Sequence, residues 1–105
     1  MTNDVVLVIS TFPDAETARR IATELVTEKL AACANLMPPV QSIYRWGGGL
    51  EEASETLVFF KTTRYAELAA KLRSLHPYDV PEIISLRVAD GLPDYLRWVS
   101  ESCAH

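Results

Sequence analysis

Hydrophobic positions along the chain fall into runs of two periods, and the switches between them mark out the elements. Val5-Val6-Leu7-Val8-Ile9 is a continuous, mostly β-branched run, the pattern of a central strand buried on both faces. Ser10-Thr11-Phe12-Pro13-Asp14 breaks it, with Thr11 or Asp14 placed to accept from the free N–H groups of a helix start. Ala18, Ile21, Ala22, Leu25 and Val26 then recur at helical spacing, with Glu16, Arg19, Arg20, Thr23, Glu24 and Lys29 over much of the rest. The pattern predicts an amphipathic helix over residues 14–28.

Residues 35–63 read as two long extended arms about Gly47-Gly48-Gly49. The first ends Val40-Gln41-Ser42-Ile43-Tyr44-Arg45-Trp46, and the second climbs Leu57-Val58-Phe59-Phe60-Lys61-Thr62-Thr63. Glycine enters the φ > 0 region without a Cβ clash, so the triplet predicts a hairpin tip. A three-residue loop there sets Arg45 opposite Glu51 as a cross-strand charge pair. Pro38-Pro39 cannot donate to a ladder, so the first arm is bent or bulged at that point. Arms of about 12 residues reach roughly 40 Å at ~3.3 Å per residue. A body of this chain length is only ~25–30 Å across. The hairpin therefore overhangs its own domain, and Tyr44, Trp46 and Leu50 form an exposed apolar edge unless another chain covers them.

A second helix starts near Arg64, with Tyr65, Leu68, Ala69, Leu72 and Leu75 at spacings of three and four, and Pro77 prevents its continuation. Residues 80–88 supply the last main strand. Asp90-Gly91-Leu92-Pro93-Asp94 is a turn that opens a third helix, which carries Tyr95, Leu96, Val99 and Cys103 inward and Trp98 on its flank. The order β-α-β-β-α-β-α is an α+β plan, the ferredoxin-like split βαβ (βαββαβ) with an additional C-terminal helix. Right-handed crossovers put the first two helices on one face of the sheet. Strands apolar on both sides then need a second layer on the other face, which sheet-to-sheet packing of subunits supplies.

Composition narrows the functional classes. A chain of 105 residues with 49% hydrophobic content makes one domain, residues 1–105, with an ample core. No apolar run of about 18 residues is present to span a bilayer, and Met1-Thr2-Asn3-Asp4 lacks the basic start of a signal peptide. A formal charge of -4, with acids and bases scattered, disfavours nucleic acid as a partner. Two cysteines, Cys33 and Cys103, make no disulfide framework and suit a reducing compartment.

The densest polar stretch is His76-Pro77-Tyr78-Asp79-Val80-Pro81-Glu82. Its imidazole and the carboxylates of Asp79 and Glu82 suit a divalent transition metal. Spacing alone, which matches no metal motif, favours a helix C-terminus closed by His and Pro, followed by a tyrosine-anchored turn. Cys33, in small apolar company, fits a buried and inert thiol. A Cys–His nucleophile pair needs one of the cysteines to meet His76, with no third residue to orient it, so the residues point away from an enzyme. Cys103 and His105 offer opportunistic metal donors near a terminus. Glu51, Glu52 and Glu55 either collect hard cations or serve as solvated charge on an exposed strand. Lys61, inside an apolar strand, calls for a carboxylate partner, with Glu55 and Glu82 the candidates. No glycine-rich phosphate loop follows a strand.

Five blocks, taken in order, resemble the divalent-cation tolerance protein family, CutA. They are Glu28-Lys29-Leu30-Ala31-Ala32-Cys33-Ala34-Asn35, Tyr44-Arg45-Trp46, Phe60-Lys61-Thr62-Thr63, the stretch from His76 to Glu82, and Tyr95-Leu96-Arg97-Trp98. The resemblance implies a compact homotrimer of ferredoxin-like subunits, similar in architecture to the PII signalling proteins and usually cytoplasmic in bacteria. It implies a part in tolerance of copper and other divalent metals, with copper bound in some members. Those members use a Cys at the end of the first strand and two adjacent His before the Pro-Tyr. Here Ser10 and Leu75-His76 occupy those places, which leaves His76 as the metal candidate, no cofactor required, and copper or another divalent cation as a weakly held ligand. The PII likeness implies an alternative, a sensor binding a small anionic metabolite in the inter-subunit cleft near Lys61, Tyr78 and Trp46.

Overall fold

The structure, a computed structural model, describes residues 3–104. In chain order the elements are β1 (Val6–Phe12), α1 (Ala15–Thr27), β2 (Cys33–Leu36), β3 (Val40–Trp46), β4 (Gly49–Thr62), α2 (Tyr65–Leu75), β5 (Ile84–Arg87) and α3 (Pro93–Ser102). The sheet runs β2-β4-β1-β5 with all neighbours antiparallel, and β3 pairs with β4 alone. That is the expected ferredoxin-like α+β plan. One face of the sheet, carrying Val8, Phe12, Val58 and Phe60, packs on Ile21 and Leu25 of α1 and on Leu68 and Leu72 of α2, and all eight side chains are buried. The third helix closes the end of the sheet with a smaller cluster of Val99 and Cys103 on Val5 and Ala32. Tyr95, expected inward, is exposed, as is Trp98 on the flank. A 10-residue helix lying across the sheet's end has only one stripe to bury, and Leu96, Val99 and Cys103 fill it.

The opposite face has no second layer among the described residues. Leu7, Ile9, Leu57 and Phe59 are only half-buried there, while Ile84 and Leu86 are each 50% exposed. Apolar alternation on both sides of β1 and β4 thus leaves a hydrophobic sheet surface facing out.

The hairpin overhangs as its length requires, for the molecule measures 46 × 25 × 23 Å. Its first arm is broken where the prolines lie. Between the pairs Leu36↔Val58 and Val40↔Glu55, three residues face two on β4, so the register slips by one and the arm divides into β2 and β3. The tip differs from the expectation. Gly47 and Gly48 alone form the loop, at φ of 61° and 82°, while Gly49 pairs with Trp46. Two successive positive φ values make the tighter two-residue turn. The closer loop shifts the ladder by one, setting Tyr44 opposite Glu51 and Arg45 opposite Leu50, so the Arg45–Glu51 pair does not form. The last strand is shorter than its apolar run, because residues 77–83 follow an irregular path and Pro81 lacks an N–H for a ladder.

Local chemistry sets the helix ends. Asp14 caps α1 by accepting from the Thr17 N–H at 2.7 Å. At its other end the Lys29 N–H donates to Val26 O and the Leu30 N–H to Leu25 O, each at 3.0 Å, with Lys29 at φ 62°. This is the Schellman arrangement with a lysine where glycine is the usual residue. The buried Thr62 hydroxyl fastens the turn to the sheet, donating to Leu30 O at 2.7 Å and accepting from the Arg64 N–H at 2.8 Å. Left-handed backbone costs a non-glycine residue ~1–2 kcal/mol, part of which glycine's greater chain entropy cancels. Lys29→Gly is therefore expected to stabilise the fold by about 0.5–1 kcal/mol, read as a raised denaturant midpoint with an unchanged slope.

Candidate functional site

His76 follows the last residue of α2, where its extended backbone and Pro77 stop the helix. The backbone path turns its ring inward, to 8% exposure, against Phe12 at 4.7 Å between centroids and 18° between planes. Tyr78 covers the other side at 4.8 Å. Both ring nitrogens are engaged. The Tyr78 backbone N–H donates to Nδ1 at 3.1 Å, so Nδ1 carries the lone pair. That assigns the proton to Nε2, which donates to the Thr11 carbonyl at 2.8 Å. The Tyr78 hydroxyl in turn donates to Glu55 Oε2 at 2.8 Å.

The surroundings tune each group. Burial holds the His76 imidazole below its ordinary range, against the smaller upward pulls of the Thr11 carbonyl and the Glu55 carboxylate. Burial, then the bond to Glu55, pushes the Tyr78 phenol up. Partial burial of its carboxyl, then repulsion from Glu55, raises Glu82. Tyr78 therefore stands among carboxylates, an environment that repels anions.

The described residues form no ready-made metal site. Neither imidazole nitrogen of His76 has a free lone pair as folded, Leu75 supplies no donor, and Ser10 offers a neutral hydroxyl where a soft thiolate would be needed. That hydroxyl is fully buried and has no hydrogen-bond partner among the described residues, a cost of about 1–3 kcal/mol. Asp79 is exposed. No group of three or more His, Cys, Asp or Glu among the described residues is arranged to hold an ion.

The other candidates lie apart. Among the described residues Lys61 meets no carboxylate; its ammonium donates to Asn35 Oδ1 at 2.6 Å. The two expected partners lie elsewhere: Glu55 takes the Tyr78 hydroxyl, and Glu82 lies with Glu55 in the same carboxylate group. An amide carbonyl serves because Lys61 faces the open side of the sheet and is only half-buried, so its charge needs no ionic partner. Lys61, Tyr78 and the hairpin-tip Trp46 occupy three separate places in one chain. Cys33 Sγ lies 3.7 Å from the Tyr95 hydroxyl and Cys103 Sγ 3.8 Å from Thr62 Oγ1, so neither thiol meets His76. His105 lies outside the described residues. A cavity of about 510 Å³ opens instead at the start of β1, walled by Asp4, Thr63, Asp90, Arg97 and Ser100, none of them a candidate for chemistry in the sequence.

These environments fix a pH dependence. His76 has a lowered folded value, so between that value and about 6.5 the unfolded chain binds more protons than the folded one. Its contribution is complete above about 6.5 and is lost as pH falls toward the folded value. Glu82 acts oppositely, since its penalty is relieved as pH falls through its raised value toward 4.5. Urea unfolding at fixed protein concentration is expected to show a midpoint that declines on acidification from pH 7 toward 5.5. His76→Gln, which keeps a donor for Thr11 but does not titrate, is expected to flatten that decline.

Comparison with known proteins agrees with this architecture. The family description "CutA1 divalent ion tolerance protein" matches residues 6–102. The divalent-cation tolerance protein CutA of Thermus thermophilus is 47% identical over 98 residues, covering 91% of this chain and 95% of that protein. A CutA homolog of Xenopus laevis is 46% identical over 93 residues, of which this chain spans 62% of the longer protein. The crystal structure of CutA from Xylella fastidiosa superposes with a TM-score of 0.94 at 39% identity, over 97% of this chain and all of that one. With the sheet order, the appended third helix and the His-Pro-Tyr turn all in place, the chain belongs to the CutA1 divalent ion tolerance protein family.

Proposed function

We propose that this protein is a non-catalytic homotrimer acting in the response to divalent cations. The observation that carries the assembly is the apolar sheet face, with Ile84 and Leu86 each 50% exposed beside an overhanging hairpin whose Trp46 is 59% and Leu50 71% exposed. Sheet-to-sheet packing and hairpin exchange between subunits cover both at once. Obligate interfaces of this kind bury more than about 2,000 Å². A cytoplasmic setting belongs to the same reading, since Cys33 and Cys103 are free thiols. No helix among the described residues is long and apolar enough to cross a membrane.

Cations are held weakly in this reading, with His76 as the principal donor. A metal ion reaching the ring must displace the Tyr78 N–H from Nδ1 or the proton from Nε2, and each displacement costs a hydrogen bond. Imidazole ranks copper(II) above zinc(II). Carboxylates near Tyr78 favour a cation over the anionic metabolite of the PII-like alternative.

Sedimentation at micromolar concentration is expected to give a trimer, and a stable monomer would remove the assembly. In calorimetry, copper(II) is expected to bind weakly to the protein lacking His105 and to fade on acidification, as the imidazole takes up a proton. His76→Ala in the same background is expected to lose that heat. Equal affinity in the two would mean that His76 serves only the turn.

A further inference from the structure

Beyond the body of the sheet, the hairpin is attached at few points. Pairing of β1 with β4 ends at Phe12↔Thr56, and pairing of β2 ends at Leu36↔Val58. Glu55 is therefore the first β4 residue past both ladders, and Val40 opposite it is the first residue of β3. On that side the connection is the slipped segment of residues 37–39, in which the Met37 N–H donates to Leu57 O at 2.9 Å and the two prolines give no N–H to hold the rest. Among the described residues, one side chain hydrogen-bonds to this root from outside the hairpin, the Tyr78 hydroxyl on Glu55.

Tyr78 is itself held from behind. Its N–H is fixed to His76 Nδ1, the opposite nitrogen is fixed to Thr11 O, and the ring is stacked on Phe12. Thr11 and Phe12 are the last residues of β1, and Phe12 is the partner of Thr56, next to Glu55. The bonds thus close a ring from β1 through His76 and Tyr78 to β4 and back across the ladder. We propose that this ring is a strut that sets the angle at which the hairpin leaves the body, with His76 and Tyr78 as positioning residues for the assembly surface. The strut uses both imidazole nitrogens and rests on the assembly reading rather than on the metal reading.

Amide hydrogen exchange on the full chain in its native assembly state tests this. Tyr78→Phe removes one oxygen atom, and Glu55→Ala removes its acceptor. Each is expected to speed exchange roughly tenfold over residues 40–54, while α1 and β1 keep wild-type protection. Glu55→Gln retains an acceptor oxygen and should stay close to wild type. His76→Asn, whose side-chain oxygen can accept from the Tyr78 N–H, should protect the hairpin better than His76→Ala. A residue that only fills space would lower protection throughout its packing neighbours rather than across the hairpin. Unchanged hairpin exchange in Tyr78→Phe and Glu55→Ala, or exchange faster by the same factor in β1 and α1, would overturn the proposal. Both of those variants leave the buried imidazole in place, so the outcome stands even if His76→Ala does not fold.

Discussion

A single strand must reach from one end of this molecule to the other. Fourteen residues of β4, at ~3.3 Å each, span about 46 Å, which is the longest dimension of the protein. Its second half is the middle of the sheet, flanked by β1 and β2, and its first half has only β3 for company. The side chains record that division. From Thr56 onward, alternate residues are buried beneath the helices, and burial of Val58 and Phe60 stabilises by ~1.5–3 kcal/mol each. Before Glu55 there is no core to face, and Glu51, Glu52 and Ser54 are exposed. The element that organises the core is thus also the one that carries the chain beyond it.

Most of the fold was legible because its determinants are local or periodic. Helical spacing located α1 and α2, and Pro38-Pro39 located the break in the first arm. The failures share a cause, since each needed information from across the sheet. Three glycines announce a tip, but only the pairing of Trp46 with Gly49 shows that two form the loop, and that one residue moved Arg45 away from Glu51. Lys61 inside an apolar run argued for a carboxylate. Which face it takes and what stands opposite depend on β2, whose Asn35 supplied a neutral oxygen instead.

The site was legible as residues and not as bonds. His76 and Tyr78 stand out by type and by position after a helix. Their partners include a backbone carbonyl at Thr11 and a backbone N–H at Tyr78, and no side-chain signal marks either group. Glu55 was noticed for its place near the hairpin, yet its bond to Tyr78 joins positions 23 apart in the chain. Of the two readings weighed for His76, the helix-end reading describes its contacts within the chain.

The order of the strands also sets a timetable for synthesis. Val6 pairs with Thr62 on one side and with Arg87 on the other, so the central strand leaves the ribosome long before either neighbour exists. Until then, Val6 to Phe12 is an apolar, β-prone segment with nothing to complete it, the kind of segment that associates wrongly when two nascent chains meet. Completion of the sheet around β1 waits on loop closures spanning about half the chain or more, and topologies rich in such contacts fold slowly. A fold this compact at the end therefore asks the cell for a period of protection at the beginning.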